Sequence, residues 1–154
     1  MTIAAKIAEL GITLPTPAAP IAAYVPCVES GALLHVSGQL PFREDGSLIT
    51  GRLGADLDTA AGLEAARACA VMILAQAAAS LGDLDRVVRV VKLGVFVNSA
   101  PDFTDQPKVA NGASELMQAV FGEAGRHARS AVGVAALPLG VAVEVDAILE
   151  VRAA

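Results

Sequence analysis

The sequence predicts an α+β fold: a mixed β-sheet with two helices packed on one face and a short additional helix at the N-terminus. Three observations carry that expectation. Apolar residues recur at three- and four-residue steps over residues 58–81 and again over 107–121, the period of an amphipathic helix. Residues 87–97, VVRVVKLGVFV, are nearly continuous in β-branched side chains, as in a central strand covered by helices. The stretch from Arg129 to Val151, RSAVGVAALPLGVAVEVDAILEV, alternates with the two-residue period of strands.

The chain, 154 residues long, makes about one ordinary domain. Residues 1–20 read as a helix and a proline-rich lead-in, and residues 21–154 as the domain proper. Thr2 caps a helix over 3–10, with Ile3, Ile7 and Leu10 on one side and Gly11 as its stop. Pro15, Pro17 and Pro20 then remove donors and fix φ, so neither helix nor paired strand is expected there. Residues 24–29 and 33–37 flank Ser30-Gly31 as a hairpin, and Leu48-Ile49, after the Asp45-Gly46 turn, suggests a short third strand. Leu63, Ala66, Ala70, Leu74, Ala77 and Leu81 form the apolar stripe of the first long helix, closed by Gly82. With the strand over 87–97 it makes a βαβ unit. Pro107 suits the first turn of the second helix, whose stripe is Val109, Ala113, Leu116 and Val120, and Gly122 and Gly125 end it. The last stretch reads as a β-hairpin about Leu137-Pro138-Leu139-Gly140.

Composition narrows the partners. Hydrophobic residues make up 55% of the chain and charged ones 18%, a balance best satisfied if an oligomer covers part of the surface. A net charge of −5, four Phe, one Tyr and no Trp argue against a nucleic-acid surface, which needs cations and stacking rings. Lys6 and Glu9 interrupt what would be the apolar core of a signal peptide, so a cytoplasmic location is the expectation. The most apolar stretch, residues 69–74, is too short to span a bilayer, and no membrane partner is expected. Cys27 and Cys69 have no metal-type spacing with His35 or His127; they read as reduced packing residues, with no metal site.

The candidate site comes from side-chain parity. If the valines of both closing strands face the core, then Arg129, Glu144 and Asp146 emerge together on the other face among Ala and Gly neighbours. An ordinary solvated ion pair explains the same pattern. Phosphate-loop, dinucleotide, zincin and hydrolase-elbow motifs are absent. Ser37 reads as a structural turn serine ahead of a weak nucleophile, and His127 as a solvated loop histidine.

The ending RSAVGVAALPLGVAVEVDAI, with HVSGQLP at 35–41 and VVKLGVFVNSAPDF at 90–103, resembles the reactive intermediate deaminase (RidA, YjgF-like) family. The similarity spans about Tyr24 to Val151 and is greatest to a longer branch with an extra N-terminal helix and a QPKVANGASEL segment. The resemblance implies a chorismate-mutase-like fold, a homotrimer and small-molecule sites in clefts between subunits. It implies cofactor-free hydrolysis of 2-imino acids, such as 2-iminopropanoate and 2-iminobutanoate, to 2-oxo acids and ammonia. Arg129 falls on the family's carboxylate-binding arginine and Glu144 on its water-positioning glutamate. Tyr24 and Ser37 fall on the site tyrosine and strand-end serine, and Asn111 is a candidate for the helix asparagine. Ala131 stands where some members carry a cysteine, and Pro26 where many carry glutamine. A non-catalytic trimer that binds a 2-oxo acid is the alternative, and a ribonuclease, a label borne by some relatives, is disfavoured by the acidic surface.

Overall fold

The structure, a computed structural model, describes residues 1–19 and 22–154. Its elements run α1 (Ile3–Glu9), β1 (Cys27–Ser30), β2 (Leu33–Gln39), α2 (Thr59–Leu81), β3 (Val87–Asn98), α3 (Gln106–Phe121), β4 (Ala128–Val134) and β5 (Val143–Val151). The five strands form one sheet in the order β1-β2-β5-β3-β4, antiparallel except for the β3–β4 pair. The expected α+β arrangement is therefore present, with α2 and α3 packed on one face.

Local chemistry sets the helix ends. Asp58 accepts from the Ala61 backbone N–H at 2.9 Å to start α2, and Gly82, at φ 77°, ends it in the left-handed conformation that glycine tolerates. By length and composition α2 could cross a bilayer, but 56% of its most apolar window is buried inside the domain, as befits a core helix. Its alanines permit close approach: Ala65, Ala66, Ala70 and Ala77 are fully buried, and Gly62 lets Leu53 and Val109 approach the helix. Thr2 caps α1, which docks Ile7 in the core and binds its Ile3 N–H to Asp85 at 2.7 Å.

Three expectations about the sheet need correction. β4 and β5 are not a hairpin: each pairs with β3, which lies between them. The Leu137–Gly140 corner carries the chain over the end of β3, where Arg52 donates to the Ala135 carbonyl at 2.6 Å and Asn98 to the Val141 carbonyl at 3.2 Å. The helix α2 does not join adjacent strands, because β5 separates β2 from β3; the adjacent βαβ unit is β3-α3-β4. Leu48 forms only an isolated bridge with Phe42 rather than a third strand, since Arg43 and the Asp45-Gly46 turn close that loop on itself.

Candidate functional site

Register decides where the charged side chains point. β4 pairs Leu93 with Arg129, Val95 with Ala131 and Val97 with Gly133, and those three β3 residues are buried beneath the helices. Side chains of paired residues share a face, so Arg129 points to the helix side. β5 pairs Phe96 with Glu144 and Gly94 with Asp146, which places both acids on the uncovered face. The expected common face of Arg129, Glu144 and Asp146 is thus corrected for Arg129. The valines of β5 do face the core, but Val132 of β4 lies on the open face at 46% exposure.

On the helix side, α3 supplies partners one turn apart. Arg129 Nη1 donates to Asn111 Oδ1 at 2.9 Å and to Ser114 Oγ at 3.1 Å, while Nη2 donates to the Pro107 carbonyl at 3.4 Å. A guanidinium carries five N–H groups. Among the described residues, the Nε–H and one N–H of Nη2 remain unengaged, adjacent on the planar fork that suits a bidentate carboxylate. The asparagine placed only as a candidate on α3 is the one that orients the arginine.

His127 is not solvated as expected but half-buried and bonded at both ring nitrogens. Nδ1 lies 2.7 Å from the Gly125 carbonyl oxygen and Nε2 lies 2.9 Å from Ser114 Oγ. A carbonyl only accepts, so Nδ1 carries the proton and Nε2 of the neutral ring accepts from the serine. Burial holds the imidazole pKa below its ordinary value; the Gly125 carbonyl opposes this and the Arg129 charge adds to it. Gly125 is required because a Cβ there would strike the Met117 carbonyl, so its smallness lets the turn after α3 close tightly enough to present that oxygen. Ser114, Gln118, Gly125, Arg126, His127 and Arg129 line an open cavity of about 230 Å³. A larger hollow of about 530 Å³, between Pro15, Pro17, Phe42 and Met72, lies elsewhere, and its Arg43 is turned onto Ser47 and the Leu48 carbonyl.

The other predicted residues gather on the open face and at the opposite edge. The Glu144 carboxyl packs over Gly38, where a Cβ would come within 2.8 Å of it. Burial raises the Glu144 pKa, and the neighbouring Asp146 charge adds to that. Ser37 is spent structurally: its Oγ donates to the Val25 carbonyl at 2.9 Å and its N–H to the Pro26 carbonyl at 2.8 Å, which fixes the segment carrying Tyr24. Tyr24 is 63% exposed beside the β1 edge. Four strand spacings, about 19 Å, separate the β1 and β4 edges. The candidate residues therefore lie apart: Arg129 with Asn111, Ser114 and His127 at the β4 edge, Glu144 on the open face over Gly38, and Tyr24 next to the segment that Ser37 ties down. Sequence reasoning missed Ser114; the signal was its one-turn spacing from Asn111.

A mixed five-stranded sheet backed by two helices, with an arginine at one edge and a glutamate on the open face, is the arrangement of a YjgF-like fold. The family described as Endoribonuclease L-PSP matches residues 15–151. The chain belongs to that family, the one its closing signature resembles. It is 61% identical to Protein TCP17 of Trypanosoma cruzi over 97% of this chain and 94% of that one. A protein of unknown function from Agrobacterium tumefaciens superposes with a TM-score of 0.90 at 51% identity, covering 98% of this chain and 94% of that one. Escherichia coli TdcF with bound serine gives a TM-score of 0.60 at 25% identity, covering 90% and 94%.

Proposed function

We propose that the protein is a cofactor-free imine deaminase, hydrolysing small 2-imino acids to 2-oxo acids and ammonia in clefts between subunits. The observation that carries this reading is the Arg129 guanidinium, held by Asn111 and Ser114 with an N–H edge left for a carboxylate. Glu144 and Tyr24 reach that edge only from another copy. A contact joining two different patches is heterologous and can close into a ring, and the homotrimer that the family resemblance implies is such a ring. In the cleft Arg129 binds the carboxylate, Tyr24 closes the pocket and Glu144 orients a water toward the imine carbon. The reaction needs little more, because a reactive imine hydrolyses unaided and positioning supplies the acceleration. The net charge of −5 favours this reading over the nuclease activity that the family description suggests.

The test follows 2-iminopropanoate generated in situ, comparing its decay with wild type, with Arg129→Ala and with buffer. Acceleration by wild type alone is the expected result; equal decay in all three overturns the proposal. The serine bound to TdcF favours a second reading, a trimer that binds amino-acid-like carboxylates without turnover. Thermal stabilisation by 2-oxobutanoate with no imine hydrolysis is its mark.

A further inference from the structure

The grip on Arg129 depends on which way each proton points. A serine hydroxyl has one proton to give and lone pairs to receive with. Within a helix that proton often turns back onto the carbonyl four residues earlier. Ser114 of α3 is bonded otherwise: its Oγ lies 2.9 Å from His127 Nε2 and 3.1 Å from Arg129 Nη1. The guanidinium only donates, so a lone pair of the serine faces it and the serine proton is left for Nε2. Nε2 accepts because the Gly125 carbonyl, 2.7 Å from Nδ1, fixes the ring proton on the other nitrogen. Bonds of one sense thus run from Arg129 through Ser114 and His127 to the Gly125 carbonyl.

We propose that Ser114 and His127 are positioning residues for the carboxylate grip: the His127 tautomer, set by the Gly125 carbonyl, holds a Ser114 lone pair on Arg129 Nη1 and so fixes the plane in which the Nε/Nη2 edge meets a ligand. The inference rests on the reading of Arg129 as the carboxylate-binding group, and neither residue needs to reach the reacting atoms. With Asn111 Oδ1 at 2.9 Å and Ser114 Oγ at 3.1 Å, both Nη1 protons are engaged, whereas the Nη2 contact to the Pro107 carbonyl is long at 3.4 Å. Orientation therefore falls to the Nη1 pair. A fork that stands in place beforehand loses less freedom when a bidentate acid binds. Aligned hydrogen bonds polarise one another, so the histidine strengthens the serine's hold on the arginine without touching it.

The packing keeps the bonds in that sense. Gly125 is buried, and a Cβ there would strike the Met117 carbonyl, so the tight turn after α3 holds the Gly125 carbonyl in place. Burial lowers the His127 pKa; the Gly125 carbonyl opposes the shift and the Arg129 charge adds to it, so at neutral pH the ring is the neutral acceptor that Ser114 requires. The cavity beside the ring is lined by the neutral Ser114 and Gln118 of α3, by Arg129 of β4 and by Arg126, which pairs with Glu123 at 3.7 Å.

Calorimetric titration with 2-oxobutanoate is the test, on wild type, Ser114→Ala, His127→Leu, His127→Gln and the double variant Ser114→Ala with His127→Leu, each accompanied by its melting temperature. Ser114→Ala is expected to weaken binding about tenfold, as befits loss of an acceptor facing a charged donor. His127→Leu is expected to weaken it about fivefold. His127→Gln, whose amide oxygen takes the serine proton, is expected to restore affinity to within about twofold of wild type. In the Ser114→Ala background His127→Leu is expected to have no further effect, because its influence passes through the serine. A merely structural histidine instead gives losses that multiply in the double variant and no rescue by glutamine. Either of those results, or wild-type affinity in His127→Leu, overturns the positioning role and leaves the reading of Arg129 standing. The imidazole nitrogen NMR spectrum of wild type gives a readout free of substitution: a proton on Nδ1 is expected, and one on Nε2 overturns the chain of bonds. Wild type that binds no 2-oxobutanoate overturns the carboxylate reading of Arg129 and the positioning role together.

Discussion

Arg129 and Glu144 stand on opposite faces of one sheet, the first under α3 and the second over Gly38 on the uncovered side. In the proposed cleft, a small acid gripped by both touches two subunits. Mixing provides the check. Arg129→Ala and Glu144→Gln oligomers, each of low activity alone, are expected to recover activity after being unfolded and refolded together. Random assembly leaves about one cleft in four with both groups intact. No recovery beyond the sum of the separate samples places both groups in one subunit's site and rejects the two-subunit cleft.

Asn111 takes one of the two Nη1 protons of Arg129 at 2.9 Å. Asn111→Ala frees the guanidinium to turn, and the cost of one hydrogen bond to a charged group is about 1.5–3 kcal/mol. Calorimetric titration with 2-oxobutanoate is expected to show affinity reduced by about tenfold or more. Unchanged affinity denies the asparagine its orienting role.

Two titrations act on stability with opposite signs. Glu144 has a raised pKa in the fold, so it contributes stability below the ordinary carboxyl pKa that is lost as pH rises through the raised value. Glu144→Gln is accordingly expected to melt above wild type at neutral pH, with the gap closing in acid. His127 has a lowered pKa, so its contribution is present above the ordinary imidazole pKa and lost as pH falls through the lowered one. His127→Gln should flatten that acid-side loss. Melting curves from pH 4 to 8 at one protein concentration check both, and parallel wild-type and variant curves reject the assignments.

Gly112 on α3 faces α2, and a Cβ there would strike the backbone carbonyl of Leu63, which cannot swing aside. Gly112→Ala is expected to cost about 3 kcal/mol or prevent folding, because the two helices would have to separate. Chemical denaturation measures it. A cost under about 0.5 kcal/mol, the range of ordinary surface changes, denies the close crossing.

The helices were legible because their ends are written locally: Asp58 and Gly82 for α2, Pro107 and Gly122 for α3. Strand pairing was not, since alternation within β4 and β5 gives faces but no partners. The parity rule held for β5, buried at the sheet centre, and failed for β4. At that edge Val132 is exposed on the open face while Arg129 tucks beneath α3. An apolar residue on an uncovered face reads like a core residue. The resemblance picked out Arg129, Glu144 and Asn111 as residues but did not say which share a protomer's cleft. Ser114 carries no signal of its own and His127 reads as a solvated loop residue, because their bond joins a helix to a turn and no sequence period connects the two.

The central place of β5 also bears on how the chain reaches its fold. It is the last strand synthesised, yet it lies between β2 and β3. Until it emerges, β1–β2 and β3–β4 are separate two-stranded ribbons, each offering an unpaired edge and each too small to hold alone. Sheet closure therefore has to follow translation of residues 143–151, with much of the pairing between strands remote in sequence. Nascent chains stalled before that point should be the species most prone to aggregate, and the ones most dependent on chaperones.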